Sequence, residues 1–539
     1  MKQKVKIISI LLLIFYLASL FFRFPHGDEA ILAEQSYWLQ KIGYVKSEMF
    51  TGFGFGWEII QYHYHKLFIL VGAIFIKVFG VSVTALRLNV LFAFCILYYF
   101  IFRYFKMNFD NKEKLILYFN VFFILSIIQY HLFYYSFIFR PEIQVICCGF
   151  ISFYFLSKFI KEEKQSDVIL SGVFAGLSLL FHLNGLVFVF AGMFFLIYKS
   201  KRIESVYFVI TSILISLFYF FNIHSTQEFN NFLYQFTNDP NLHKEDFSVL
   251  LKLNKIITEH KRYFHSPKEI VLSLLFLFVL ITNFKSITLK ASYKKDLFIY
   301  TLVVMLFLAI FAHDKTDKYS ILFIPFWLML ITISIFDLLN LGKDKVTNKS
   351  KLIKYTFALF LVLYFLTNII VINKNILVDD NTISNNKKMS DFIIKNNGND
   401  IYKSVNKLDS NYSNKDNRIT ICARENFFFN EYKNFKIISL LSFEYYWKFN
   451  SKNKELSQVN NQLNNQVKAE VQNDKKADKQ DFYKFSQMNN VEYIWIENIK
   501  INSNFLELVK FEDYKWGNVY YNYKVILLDK NNVILKLNN

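Results

Sequence analysis

Through roughly residue 373 the apolar residues of this chain fall in long blocks divided by short polar turns; beyond it they fall in short runs within Asn- and Lys-rich sequence. A helix needs about 20 residues to cross roughly 30 Å of hydrocarbon. The blocks approach that length and predict spans at the first run, which ends near Phe22, and at roughly 88–102, 115–130, 143–160, 168–182, 185–198, 204–222, 269–284, 297–312, 319–337 and 355–373, about eleven in all. The run Leu67–Ile76 differs. Its ten residues between Lys66 and Lys77 are too few to cross, so it reads as an interfacial helix on the outer face.

Charge then sets the orientation. The basic start at Lys2, Lys4 and Lys6 puts the N-terminus in the cytoplasm, and with no small-residue cleavage site after it the first run reads as an uncleaved helix. Alternate crossings make cytoplasmic the turns bearing Arg103, Lys106, Lys112 and Lys114; Lys158, Lys161 and Lys164; Lys199, Lys201 and Arg202; Lys285, Lys290, Lys294 and Lys295; and Lys343, Lys345, Lys349, Lys351 and Lys354. All are basic, as the positive-inside rule asks, and all would point outward if Leu67–Ile76 were a span. The fold class is therefore a polytopic α-helical membrane protein of the cytoplasmic membrane. Its membrane-embedded part covers 1–373 and includes an outer first loop, 24–87, that carries interfacial helices.

Residues 374–539 read as an extracytoplasmic soluble domain of α/β or α+β type. Strand-like runs stand at Arg418–Ala423, Lys436–Leu441, Val491–Ile496 and Val525–Leu528, with a helical candidate near Met389–Lys395 and a polar insert at Ser451–Gln480. This domain shows no catalytic constellation of its own.

Composition agrees with the pattern: 54% of the residues are hydrophobic, with 64 Phe and 34 Tyr. The net charge of +19 would suit nucleic acid, but the cations sit in the turns between apolar blocks, so nucleic-acid binding is rejected. Cys95, Cys147 and Cys148 lie in apolar runs and Cys422 stands alone, which leaves no disulfide framework or metal-ligand spacing.

With sides assigned, the outer face collects Asp28, Glu29, Glu58, His63, His65, Arg87, His131, Arg140, Glu142, His182 and the stretch His313–Lys318, while the cytoplasmic turns hold Lys and Arg without His. Ionisable residues at the ends of membrane helices are costly and usually functional, so the chemistry faces outward. Outside the membrane there is no nucleotide sugar, and group transfer there needs a donor carried on lipid. The transfer needs a carboxylate to take the acceptor's proton and cations to hold the phosphate that leaves. That is the inventory present.

The pair Asp28-Glu29 within Gly27-Asp28-Glu29-Ala30, the segment Tyr64-His65-Lys66-Leu67-Phe68 leading to Lys77-Val78-Phe79-Gly80-Val81, the entry Ala85-Leu86-Arg87-Leu88 and Phe139-Arg140-Pro141-Glu142 together resemble the GT-C superfamily of membrane glycosyltransferases. Within it the chain is similar to the bacterial dolichyl-phosphate-mannose protein mannosyltransferase and aminoarabinose transferase group, including a late-helix motif at Tyr319–Pro325 after Lys318. The resemblance covers roughly residues 5–340. It implies that Asp28 serves the acceptor with Glu29 in support, and that Arg87 and Lys318 contact the donor phosphate, in a glycosyltransferase taking sugar from a polyprenyl phosphate to a lipid, glycan or protein acceptor. The group commonly has Pro-Pro after a Lys in the first loop; this chain has Leu67-Phe68 after Lys66. No cofactor is implied, and a divalent metal stays open.

Further substrate or phosphate contacts are expected from Glu58, His65, Lys66, Arg140, Glu142, His182 and Tyr319. Each has a plainer reading. Asp28 and Glu29 also suit the first turn of an amphipathic helix, Ala30–Gln40; Arg87 suits an interfacial anchor; Arg140 and Glu142 suit a structural ion pair; His182 suits a helix cap. His63 and His65, two apart, point to different sides of a helix and suit exposed interfacial positions better than a metal. A polytopic transporter and a lipid-linked oligosaccharide polymerase or ligase remain the alternative functions, and a scaffold using the terminal domain is a third. Against a transporter, the sequence shows no paired discontinuous segments repeated in two halves and no charge buried mid-span.

Overall fold

The computed structural model describes residues 2–23, 26–52, 55–239, 249–288, 292–312, 315, 317–340, 348–376, 387–395, 418–423, 425, 428–439, 442, 485–486, 488–497, 519–520, 523–528 and 532–537. Among the residues singled out above, Lys290, His313 and Asp314, the turn 341–347 and the insert Ser451–Gln480 lie outside these.

The helices run in chain order: α1 Lys2–Ala18, α2 Gly27–Ile42, α3 Lys66–Phe79, α4 Val83–Asn108, α5 Lys112–Ile128, α6 Tyr130–Tyr135, α7 Glu142–Glu162, α8 Gln165–Phe181, α9 Leu186–Tyr198, α10 Arg202–Ser216, α11 Thr226–Asn238, α12 Val249–Ile257, α13 His260–Tyr263, α14 Pro267–Thr288, α15 Tyr293–Phe311, α16 Ile324–Asn340 and α17 Asn348–Ile376. A further helix covers 387–395. Every run expected to span coincides with one of them. Among the described residues five helical segments are long and apolar enough to cross a membrane: Val83–Asn108, Glu142–Glu162, Arg202–Phe220, Pro267–Phe284 and Lys351–Lys374; Gln165–Phe181, Leu183–Tyr198 and Ile324–Asp337 are apolar but shorter. Large apolar side chains on α1, α10 and α17 stand exposed, among them Leu11, Ile14, Leu214 and Ile370, which suits lipid rather than water. The protein is a multi-pass membrane protein.

Local chemistry sets the helix ends. Ser82 caps α4 by accepting from the Ala85 amide at 3.0 Å, and Asn111 caps α5 by accepting from the Glu113 and Lys114 amides. The run expected as a span from residue 319 begins as helix only at Ile324, with Pro325 in its first turn where a missing N–H costs nothing. Lys318 and Tyr319 therefore precede the helix, in a 3-10 turn over Asp317–Leu322. Close packing follows small residues: Gly172 and Gly176 on α8 face the backbone of α10, where a Cβ would come within 2.7 Å of the Phe208 and Ser212 carbonyl oxygens. The basic turns pair across helices, Lys158 with Asp167 at 3.0 Å, Lys294 with Asp337 at 2.5 Å, and Lys199 with Asp296.

The chain forms two compact units. The first comprises Met1–Phe24, Tyr64–His224 and His243–Asp379; the second comprises Pro25–His63, Ser225–Leu242 and Asp380–Asn539. The segment 24–87 thus divides between them at residue 63.

In the first unit α7 is the most enclosed long helix, with 78% of its apolar window buried. In the second, a six-stranded sheet is built from β1 Ile419–Ala423, β2 Phe435–Ser439, β3 Tyr493–Glu497, β4 Val519–Tyr520, β5 Tyr523–Leu528 and β6 Asn532–Leu537, in the order β2-β1-β3-β6-β5-β4. β2, β1 and β3 are parallel, and the remaining pairs are antiparallel. Four strands coincide with the strand-like runs in the sequence. α2 packs in this unit, with Tyr37 edge-on to Phe428 and Tyr432, and Glu48 pairs with Arg418 at 2.9 Å.

Candidate functional site

In the first unit six of the expected site residues converge. Phe139-Arg140-Pro141-Glu142 turns the chain into α7, and the Arg140 guanidinium lies across Glu142, 2.7 Å from Nη2 to Oε1 and 3.2 Å from Nε to Oε1. Both are buried, Glu142 at 2% exposure, so the pair is fully engaged and the carboxylate stays ionised only because Arg140 is there. Beside them, His182 ends α8 and caps the tight turn into α9: its Nδ1 accepts the Asn184 amide hydrogen at 3.0 Å. Gly185 is required in that turn, because a Cβ there would lie 2.2 Å from the Ser178 carbonyl carbon.

His65, at the start of α3, stacks on His182, with ring centroids 4.6 Å apart, and Tyr319 lies on it at 5.8 Å. Lys318 stands 5.1 Å over the Tyr319 ring. The His182 imidazole is held well below its ordinary pKa, first by burial and then by the positive charge of His65, Arg140 and Lys318, against which Glu142 works. His65, His182, Lys318 and Tyr319 each keep part of their surface open, while Arg140 and Glu142 form the closed floor. An imidazole and a cation on a partly open rim, with a second cation in the floor held by a buried carboxylate, can hold an anion.

Lys66 is 2% exposed, bonded to Asn222 Oδ1 at 2.6 Å and seated 3.9 Å over the Tyr64 ring. Burial pushes its pKa down to about 7. Arg87 is also 2% exposed and donates to the Arg23 carbonyl at 2.9 Å, while Arg23 in turn donates to the Phe133 and Tyr134 carbonyls. In this structure Arg87 ties the end of α1 to the start of α4, which differs from the snorkelling anchor that its position suggested.

The carboxylates of the first loop lie in the second unit. His26 and Glu29 form a reciprocal capping box: the His26 amide donates to Glu29 Oε2 at 2.8 Å, and the Asp28 amide donates to His26 Nδ1 at 3.1 Å. Glu29 is buried in this cap, whereas the Asp28 side chain is 46% exposed, 3.9 Å from His26 Nδ1. The plainer reading of the pair thus describes Glu29, and Asp28 is the more exposed carboxylate of the two. One oxygen of Glu58 is buried without a hydrogen-bond partner among the described residues. His63 lies 3.5 Å from Asp239 and packs edge-on to Phe236. Among the described residues no three His, Cys, Asp or Glu side chains lie close enough to hold a metal ion.

Sequence reasoning missed a buried charged network in the first unit. Glu259 joins Arg262 and Lys315, each at 2.7 Å, and Glu269 joins His131 at 2.8 Å and Lys268 at 2.6 Å. Of these only His131 and Lys315 stood in the outer-face set. The signal available was the i,i+3 spacing of Glu259 and Arg262 in a stretch that otherwise reads as a polar loop.

Residues 67–224 match the family model described as dolichyl-phosphate-mannose-protein mannosyltransferase. No curated protein sequence matches the chain. Among solved structures, ArnT from Cupriavidus metallidurans in the apo state is similar with a TM-score of 0.57 at 10% identity, covering 99% of this chain and 97% of that one. ArnT from the same organism bound to undecaprenyl phosphate is similar with a TM-score of 0.55 at 10% identity, covering 99% and 98%. The chain shares the fold of these ArnT structures, and over residues 67–224 it is similar to the dolichyl-phosphate-mannose-protein mannosyltransferase family.

Proposed function

We propose that the protein transfers a sugar from a polyprenyl-phosphate donor to a lipid, glycan or protein acceptor on the outer side of the cytoplasmic membrane. The observation that carries this reading is the convergence of Arg140, Glu142, His65, His182, Lys318 and Tyr319 on one partly open cluster, cationic on balance, at the ends of membrane helices. The undecaprenyl phosphate seen on an ArnT of the same fold supports a lipid phosphate as the anion.

Asp28 takes the proton of the acceptor hydroxyl as its oxygen attacks the anomeric carbon. The bond from that carbon to the phosphate oxygen breaks, and the polyprenyl phosphate departs as a stable anion that needs no general acid. Arg140 and Lys318 balance its charge, with Tyr319, His65 and Lys66 flanking, and Glu29 holds the turn that presents Asp28. In this reading about eleven helices span the membrane, 1–373 is the membrane-embedded catalytic domain, and residues 374–539 form an extracytoplasmic domain.

The test is transfer from a polyprenyl-phosphate sugar by purified protein in detergent. Asp28→Asn is expected to abolish transfer while leaving membrane insertion and binding of undecaprenyl phosphate intact; full transfer by that variant overturns the assignment of the base.

A further inference from the structure

The His182 ring has its tautomer set by the backbone. The Asn184 amide donates to Nδ1 at 3.0 Å, so that nitrogen presents a lone pair, and in the neutral ring the hydrogen sits on Nε2. Nε2 has no hydrogen-bond partner among the described residues, although the ring stacks on His65 at 4.6 Å and has Tyr319 tilted against it at 5.8 Å. Its position is therefore held by two aromatic neighbours and by the bond at Nδ1, while the donating edge is unused.

The groups that face it from the packed elements are His65 at the start of α3, Arg140 and Glu142 at the start of α7, and Lys318 and Tyr319 in the turn before α16. Arg140 already holds Glu142 through two of its nitrogens, and that leaves the carboxylate poorly placed to receive another donor. An N–H that can only donate, set among cations, is complementary to an oxygen that can only accept.

Resting on the proposed function, we infer that His182 donates through Nε2–H to a non-bridging oxygen of the donor's phosphate. A neutral donor there adds direction without adding a third cation to a site that must release its product. The Arg140 and Lys318 charges set how strongly phosphate is held; the His182 bond sets its rotation. His182 is then a binding and positioning residue whose geometry comes from the Asn184 amide.

The experiment measures binding of undecaprenyl phosphate, and of undecaprenol as the uncharged control, to the full chain in detergent micelles. Inorganic phosphate serves as a competitor that separates headgroup recognition from lipid recognition. His182→Leu is expected to weaken undecaprenyl phosphate binding about tenfold, the loss of one hydrogen bond to a charged group, with undecaprenol binding unchanged. His182→Gln, whose amide reaches the Nε2 position, is expected to retain affinity within about threefold, and His182→Asn, one bond shorter, is not. If the leucine variant fails to fold, the Gln and Asn pair makes the same comparison. Equal binding by wild type and His182→Leu overturns the inference, as does equal weakening by Gln and Asn. A wild type that binds no polyprenyl phosphate overturns the proposed function instead.

Discussion

His65 and His182 lie ring on ring, 4.6 Å between centroids and 26° from parallel, one at the start of α3 and the other at the end of α8. At that spacing two imidazolium charges oppose each other, so protonating one holds back the other. His65→Phe keeps an aromatic face and removes the charge. The His182 pKa should then rise toward its ordinary value. Diethyl pyrocarbonate reacts with the neutral ring, so the pH midpoint for modification of His182, mapped by mass spectrometry, should move upward in that variant and stay put in a His63→Phe control.

The Arg140 and Glu142 pair makes a second prediction, about stability. Removing Arg140 alone leaves a carboxylate at 2% exposure without its partner. Arg140→Met should cost about 3–5 kcal/mol, and the double variant Arg140→Met, Glu142→Gln should recover much of that loss. Thermal unfolding in detergent reads both. A double variant less stable than the single one would show that the pair is not electrostatically coupled.

Lys66 should give a pH signature. Its folded pKa of about 7 lies below the unfolded value of 10.5, so between those values the unfolded chain binds more protons and stability rises with pH. The Lys66 contribution to the unfolding temperature, read as wild type less Lys66→Met, should climb from pH 7 to pH 9. Lys66→Met should gain most over wild type at pH 6, where the lysine is charged and buried.

Glu34 should do the opposite in the second unit. Its carboxyl accepts from the Ser47 hydroxyl at 2.6 Å and the Glu48 amide at 2.8 Å, yet burial, reinforced by the Glu48 charge, pushes its pKa up to about 8 from 4.5. Between pH 4.5 and 8 the folded chain holds a proton the unfolded chain gives up, so the stabilisation is complete below 4.5 and is lost as pH rises through 8. Glu34→Gln should flatten this slope and be more stable than wild type at pH 9.

The outward orientation can be checked by labelling. In a background lacking Cys95, Ile59→Cys, ahead of α3, and Lys77→Cys, in its last turn, both at exposed positions, should react with an impermeant thiol reagent on intact cells. Lys112→Cys, at the exposed start of α5, should react only after permeabilisation. Opposite-sided labelling of residues 59 and 77 would make α3 a span.

The long helices were legible because an apolar block has few ways to satisfy its backbone in lipid, so length and composition suffice. Ends were less so: α16 starts at Ile324 because of Pro325, and the apolar run before it is used as a 3-10 turn. Individual site residues such as Arg140 and His182 were visible because ionisable groups at block edges are rare. Their convergence was not, since nothing in the local pattern records which turn meets which. Glu259 and Arg262 escaped because they neutralise each other within one turn, and α11 and α12 are short and interrupted by polar residues, so they carry no block. In the sheet, β4 and β6 were missed: β4 is two residues long, and β6 is a short apolar run set between polar stretches.

The Glu48 to Arg418 contact joins positions 370 residues apart, both within the second unit. During synthesis the segment around α2 emerges early, while the strand beside Arg418 emerges only after every long helix has been made. At about 5–20 residues per second the first part waits on the order of 20–70 s for its partner. A chain stopped before residue 418 therefore leaves Glu48 without Arg418 and Tyr37 of α2 without Phe428 and Tyr432, and quality control would meet that surface first.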